Sequence, residues 1–316
     1  SFTKVIQGPP GPPGPPGKDG ATVKRYYHLE DQPAPAPHPE SVPVPPHCVW
    51  SYAGSTGPAK WGSLCEGQYA TCSTGQRQSP IDVMGSQETA MAGAETLGWN
   101  IPAGNYEKFL HRLKSAPGDG EEEYVTPQHV YEVTSVDATM PYDGATWQVK
   151  RIQLHTPSEH TVDGKQFDLE LQFVHEAVGD DGTASALIVS AFAIAEQGQG
   201  SPSFLRTLAE AAGKLTGEPE DRVPLDFAEI AQAAMVGQLA HQGANPADFV
   251  PNFKNYLAYN GSYTTPPCTE GVRWVLLNNP LYIYQQDLDA ITALEHKNIR
   301  PTQPLNGRKV STSIPA

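Results

Sequence analysis

The chain has 316 residues and a formal charge of −14, with an isoelectric point near 5.1. Such acidity argues against a nucleic-acid surface and against adhesion to anionic membranes, and no apolar run approaches the roughly 18 residues that span a bilayer. A chain of this length holds one large domain or two modest ones, and Ser1 in place of Met is expected of a chain that has lost a signal peptide.

In chain order, the first signal is periodic. Gly8, Gly11, Gly14, Gly17 and Gly20 recur at every third position, and Pro fills both intervening places from Pro9 to Pro16. Only glycine fits at the crowded axis of three polyproline-II chains, so residues 1–22 predict a collagen-like triple-helical segment and self-association as a homotrimer. So short a repeat needs help from the globular part to stay wound. Residues 23–47 then pass into PAPAPHPESVPVPP, where alternating proline blocks helix and ladder bonding alike and leaves a stiff extended linker. Its prolines are candidates for hydroxylation and glycosylation, while His38 and His47 read as solvated linker side chains.

The globular domain is placed at 48–316. Its centre is KRIQLHTPSEHTVDGKQFDLELQFVHEA, Lys150 to Ala177, read as two buried strands. Period-two alternation puts Gln153 and His155 on one face, with Ile152 and Leu154 on the other. In the second strand Glu170, Gln172 and Val174 share a face, opposite Leu169, Leu171, Phe173 and His175. Ala184 to Ala195 is an apolar run of strand length. Ser201 or Ser203 is placed to cap a helix from Phe204 to Leu215, with Leu205, Leu208, Ala209 and Ala212 on one side. Phe227 to His241 reads as a second helix. Four cysteines suit an oxidising compartment and an extracellular location, and they allow three pairings. Asn260-Gly261-Ser262 is a glycosylation sequon.

Several motifs resemble those of the alpha-class carbonic anhydrases: Trp50-Ser51-Tyr52, Gln78-Ser79-Pro80-Ile81-Asp82, the Ser158 to Gly164 turn, Tyr259 to Glu270 with Trp274, and Asn298 to Arg308. The resemblance implies a mainly β fold with peripheral helices, built on a central, mostly antiparallel, twisted sheet of about ten strands. It implies a Cys72–Cys268 disulfide and leaves Cys48 and Cys65 to pair with each other. The family's catalytic zinc is held by three histidines, whose matching positions here are Gln153, His155 and Gln172. By the same resemblance Thr264 orients the nucleophile, Glu159 accepts that threonine's proton, Thr265 stands beside the substrate, Glu170 braces the third ligand and His129 occupies a proton-shuttle position.

Two amides among three ligand positions lead to the expectation of no stoichiometric zinc, since zinc favours imidazole nitrogen over a neutral amide oxygen. Gln172 is then expected to donate to Glu170, and Gln153 to bond His155 or water. His160 and His175 fall on the structural side. The function expected from this is an extracellular structural or interaction protein, not an enzyme, displaying a silent domain on a collagen-like stalk, with matrix, wall or appendage components as partners. Two alternatives stand beside it: an active anhydrase with an unusual site and zinc as cofactor, and a ligand-binding or storage protein using the vacated pocket.

Overall fold

The computed structural model describes residues 49–85, 88–90, 97–100, 107–112, 131–134, 138–178, 186–195, 201–214, 223–226 and 255–313. The collagen-like repeat with Gly8, Gly11, Gly14, Gly17 and Gly20, the proline-rich linker, Cys48, His129 and the helix expected over Phe227–His241 lie outside the described residues.

Strands dominate, as the alternating sequence requires. They are β1 (Asp82–Val83), β2 (Glu88–Ala90), β3 (Glu107–Arg112), β4 (Tyr131–Thr134), β5 (Thr139–Tyr142), β6 (Ala145–His155), β7 (Thr161–Val162) and β8 (Lys165–Gln166). The second half of the chain adds β9 (Leu169–Ala177), β10 (Leu187–Ala195), β11 (Val223–Asp226), β12 (Tyr256–Ser262), β13 (Glu270–Leu277), β14 (Leu281–Ile283) and β15 (Val310–Thr312). The described α-helices are α1 (Thr71–Thr74), α2 (Ser203–Ala212) and α3 (Gln285–Glu295).

Twelve strands form one sheet, whose main path runs β11-β3-β4-β6-β9-β10-β13-β12-β15-β2, with β5 on β6 and β14 on β10. Pairing along that path is antiparallel except at β10–β13 and β15–β2. β1, β7 and β8 make a separate small sheet. No described helix is long and apolar enough to cross a membrane.

Both faces of the sheet are covered, and alternate residues of each central strand go to different cores. Ile152 and Leu154 of β6, Leu171 and Phe173 of β9 and Val189 of β10 join one cluster, against which α2 and α3 pack. Val174, Ile188, Phe192, Tyr259 and Trp274 join the other. In α2, Leu205, Leu208, Ala209 and Ala212 are all buried, the side expected from their spacing. Burying each leucine contributes about 1.5–3 kcal/mol. The expected serine cap is absent. Pro202 occupies the N-cap position without a side-chain bond, and Ser201 instead donates its hydroxyl to Asp287 of α3, so the serine ties two helices together.

A third cluster of Tyr52, Trp61, Tyr69, Cys72 and Cys268 closes one end. The Cys72–Cys268 disulfide lies within it and joins positions 196 residues apart. Cys65 is also disulfide-bonded. The segment after α3 returns across the molecule. The Arg300 guanidinium donates to the carbonyls of Ser79 and Cys72, and Arg308 donates to those of Gln78, Asn260 and Pro304. Gly261 lets β12 come close to Ser79, because a Cβ there would overlap the Ser79 hydroxyl.

Candidate active site

β6 and β9 run antiparallel with Gln153 opposite Gln172 and His155 opposite Glu170. Since successive partners on one face of such a ladder are neighbours, these four side chains form a compact square on the side away from Leu154 and Leu171. All four are buried. The Ser158–Gly164 turn follows β6 directly and brings Glu159 and His160 to the same place.

Glu170 is the hub. Its Oε2 accepts from the backbone N–H groups of Glu159 and His160. Its Oε1 accepts from His160 Nδ1 at 2.8 Å, Ser190 Oγ at 2.7 Å and Gln172 Nε2 at 3.1 Å. Burial alone would raise its pKa, but the charge and hydrogen bonds of His160 outweigh it and bring Glu170 down to about 2. His160 Nε2 meets the Tyr259 hydroxyl at 2.6 Å, which in turn meets Ser79 Oγ at 2.8 Å. His160 is thus committed to the frame. So is His175: Nδ1 donates to the Leu187 carbonyl, and Nε2 accepts from Trp99 Nε1. Burial lowers its pKa to about 4.

Glu159 is fully buried and held from two sides. Oε1 accepts from the backbone N–H of Arg300 at 2.9 Å, and Oε2 accepts from Gln172 Nε2 at 2.8 Å. The Gln172 amide therefore does donate to Glu170, as expected from the sequence, and bridges that carboxylate to Glu159 as well. In doing so it occupies the acceptor that the resemblance assigned to Thr264. Two carboxylates also fix which end of this amide is nitrogen.

His155 departs from expectation. Its Nδ1 lies 2.8 Å from the Asn298 carbonyl oxygen, and the Asn298 side chain braces the same corner through Thr156 N–H and the Leu154 carbonyl. Gln153 is not its partner. A carbonyl only accepts, so Nδ1 carries a proton. The other ring nitrogen, Nε2, is buried, lies 3.6 Å from Glu159 Oε2 and has no hydrogen-bond partner. Asn298 lies 143 residues away from His155, and no local pattern pointed to it. Thr264 is buried and Thr265 half-buried, both just beyond β12. Asn260 lies within β12, its Oδ1 accepting from Arg273.

A zinc held by three imidazoles does not fit these residues. One imidazole is oriented as a ligand would be, with its far nitrogen anchored on a carbonyl. The other two places hold amides, one of them turned to present its N–H groups to carboxylates. Among the described residues, no group of three or more His, Cys, Asp or Glu side chains is arranged to hold a metal ion.

A carbonic anhydrase of Neisseria gonorrhoeae is 31% identical over 265 residues, covering 84% of this chain and 88% of its own. Dioscorin DB3S of Dioscorea polystachya is 28% identical, covering 80% of this chain and 82% of its own. Among solved structures, the alpha-carbonic anhydrase of Thermovibrio ammonificans, in complex with the inhibitor sulfanilamide, has a TM-score of 0.62 and 27% identity, covering 84% of this chain and 99% of that one. These names correct the expectation of a non-enzymatic, silent display domain, because the frame is shared with proteins named for the enzyme. The family normally uses zinc, which favours the alternative with zinc as cofactor over its loss. The eukaryotic-type carbonic anhydrase model matches residues 56–314, and the chain belongs to that family.

Proposed function

We propose that the protein is a carbonic anhydrase with an unusual metal site, catalysing the reversible hydration of carbon dioxide. One observation carries this reading: the family match extends over nearly the whole globular part, with relatives that bear the enzyme's name.

The chain's own groups supply the following roles. Hydration joins a water oxygen to the carbon of carbon dioxide, moves one C=O electron pair onto oxygen and releases a proton, giving bicarbonate. Glu159, fixed by the Arg300 N–H, is the acceptor able to orient a hydroxyl or water beside the pocket. Thr264 and Thr265 offer hydroxyls to the oxygens on which negative charge develops. Gln172 takes one lone pair of Glu159 Oε2, which leaves the second as the place where the Thr264 hydroxyl would donate. Glu170 acts through Gln172 and is a positioning residue. His129 has the proton-relay place by resemblance.

An extracellular location is supported by the disulfides. Assembly as a homotrimer is supported by the Gly-X-Y repeat of the sequence alone. The test of function is stopped-flow hydration of carbon dioxide by the full chain, with zinc supplied. A rate above buffer that scales with protein is expected. A rate equal to buffer with zinc present overturns the proposal.

A further inference from the structure

The pocket face of the β6–β9 ladder runs from a closed end to an open one. His155 opposite Glu170, Gln153 opposite Gln172 and Arg151 opposite Val174 follow one another along it, since alternate residues of a strand share a face. Burial eases in the same direction: His155 is fully buried, Gln153 is 5% exposed and Arg151 is half-buried. Arg151 therefore stands at the mouth. Its guanidinium carbon lies 5.8 Å from the centroid of the Tyr263 ring, and it hydrogen-bonds that side chain, so the cation is seated on an aromatic face next to Thr264. Glu176, at the same end of β9, has Lys150 at 3.9 Å. One step inward, nothing among the described residues is hydrogen-bonded to the Gln153 amide, although an amide buried without a partner is costly.

We infer that the mouth of this pocket is a binding site for a small planar oxyanion of the bicarbonate class, held by the Arg151 guanidinium and the Gln153 amide. A guanidinium presents paired donors in a plane that match an O–C–O unit, and with five N–H groups it serves a resident partner and a visitor together. Side chains two apart on a strand face are roughly 6–7 Å from one another, a gap that one O–C–O unit fills with a hydrogen bond of about 2.9 Å at each end. The anion stops at the mouth, because further in it meets the carboxylates of Glu159 and Glu170. A chain of formal charge −14 repels anions at long range, so a cation at the entrance is what lets one approach. The choice of bicarbonate rests on the reading of this pocket as the anhydrase centre, but the site is measured by binding and not by turnover.

The full chain, at constant ionic strength, is titrated with isotope-labelled formate, an O–C–O anion that hydration does not consume, and binding is followed by NMR line broadening. Saturable broadening is expected, reversed by bicarbonate and left in place by urea, which is planar but uncharged. Arg151→Gln should weaken formate binding by about 10-fold or more, as for a hydrogen bond to a charged group, and Gln153→Leu by about 2–10-fold, as for a neutral one. Arg151→Lys keeps the charge and loses the fork, and should fall between the parent and Arg151→Gln. A second measurement depends on no variant folding: phenylglyoxal modifies guanidinium groups, and formate should shield Arg151 of the parent chain from it, read by peptide mass spectrometry. No saturable binding overturns the inference, as do displacement by urea, binding that Arg151→Gln or Gln153→Leu leaves unchanged, or an Arg151 that formate fails to shield. A chain that binds formate as described yet fails to hydrate carbon dioxide refutes the proposed activity and leaves this site standing.

Discussion

Glu170 and His155 are direct partners across the β6–β9 ladder, yet their surroundings differ in kind. Around Glu170 the possible bonds are made: two backbone amides, an imidazole, a hydroxyl and an amide converge on one carboxylate, and the chain continues through His160 and Tyr259 to Ser79. Around His155 the ring is equally well aimed, but its inner nitrogen has nothing to bond. The difference separates what folds the domain from what the domain is for. A satisfied buried network lends rigidity and costs dearly when broken. An unsatisfied atom is tolerated where an occupant supplies the missing partner.

The contrast breaks most severely at the frame. Glu170→Ala leaves His160, Ser190 and Gln172 without their common acceptor and should destabilise the protein by roughly 3–5 kcal/mol, the range for removing one partner of a buried ion pair, read by chemical denaturation. Reducing the Cys72–Cys268 bond, which closes a long loop, should cost about 2–5 kcal/mol in the same measurement.

Acid sharpens the comparison by striking the frame through His175. Its folded pKa of about 4 lies below its ordinary 6.5, so the unfolded chain binds the proton more readily. Stability is then full above pH 6.5 and falls as pH drops toward 4, by roughly 3 kcal/mol at about 1.4 kcal/mol per unit. His175→Gln should flatten denaturation midpoints over that window. Glu170 behaves differently: its contribution is present above its ordinary 4.5 and is lost only as pH falls toward about 2.

The smallest effect on stability, and the most specific, concerns the pocket. Gln153→His with Gln172→His supplies the three histidines that the family resemblance implies and releases Glu159 from its amide, so zinc affinity should rise by ~100-fold, equivalent to about 2.7 kcal/mol, with the melting curve of the metal-free protein little changed. Equilibrium dialysis of the double variant beside the parent chain decides it.

Much of the frame was legible because the relevant information is periodic. The alternation in residues 150–177 assigned Ile152, Leu154, Leu171 and Phe173 to one core and left Gln153, His155, Glu170 and Gln172 together, as the register confirms. The long motifs fixed the Cys72–Cys268 bond. The helix start was misread because two serines compete there and the tertiary bond from Ser201 to Asp287 outweighs a local cap. In the pocket, the partners of Gln172 were half legible, since Glu170 lies two residues away on the same strand. The anchors of His155 and Glu159 were not. Asn298 and Arg300 are 143 and 141 residues downstream, and contacts that distant leave no trace in local pattern. The inference from two glutamines to a silent domain is overturned by relatives that share the frame and bear the enzyme's name, which counting ligands at three positions could not reveal.

The reach of Asn298 and Arg300 back to His155 and Glu159 also bears on how the molecule is made. Synthesis proceeds from the amino end, so β6, β9 and the turn between them leave the ribosome long before the two residues that aim the imidazole and seat the carboxylate. Until positions 298–300 emerge, the pocket's walls can exist without the contacts that orient them.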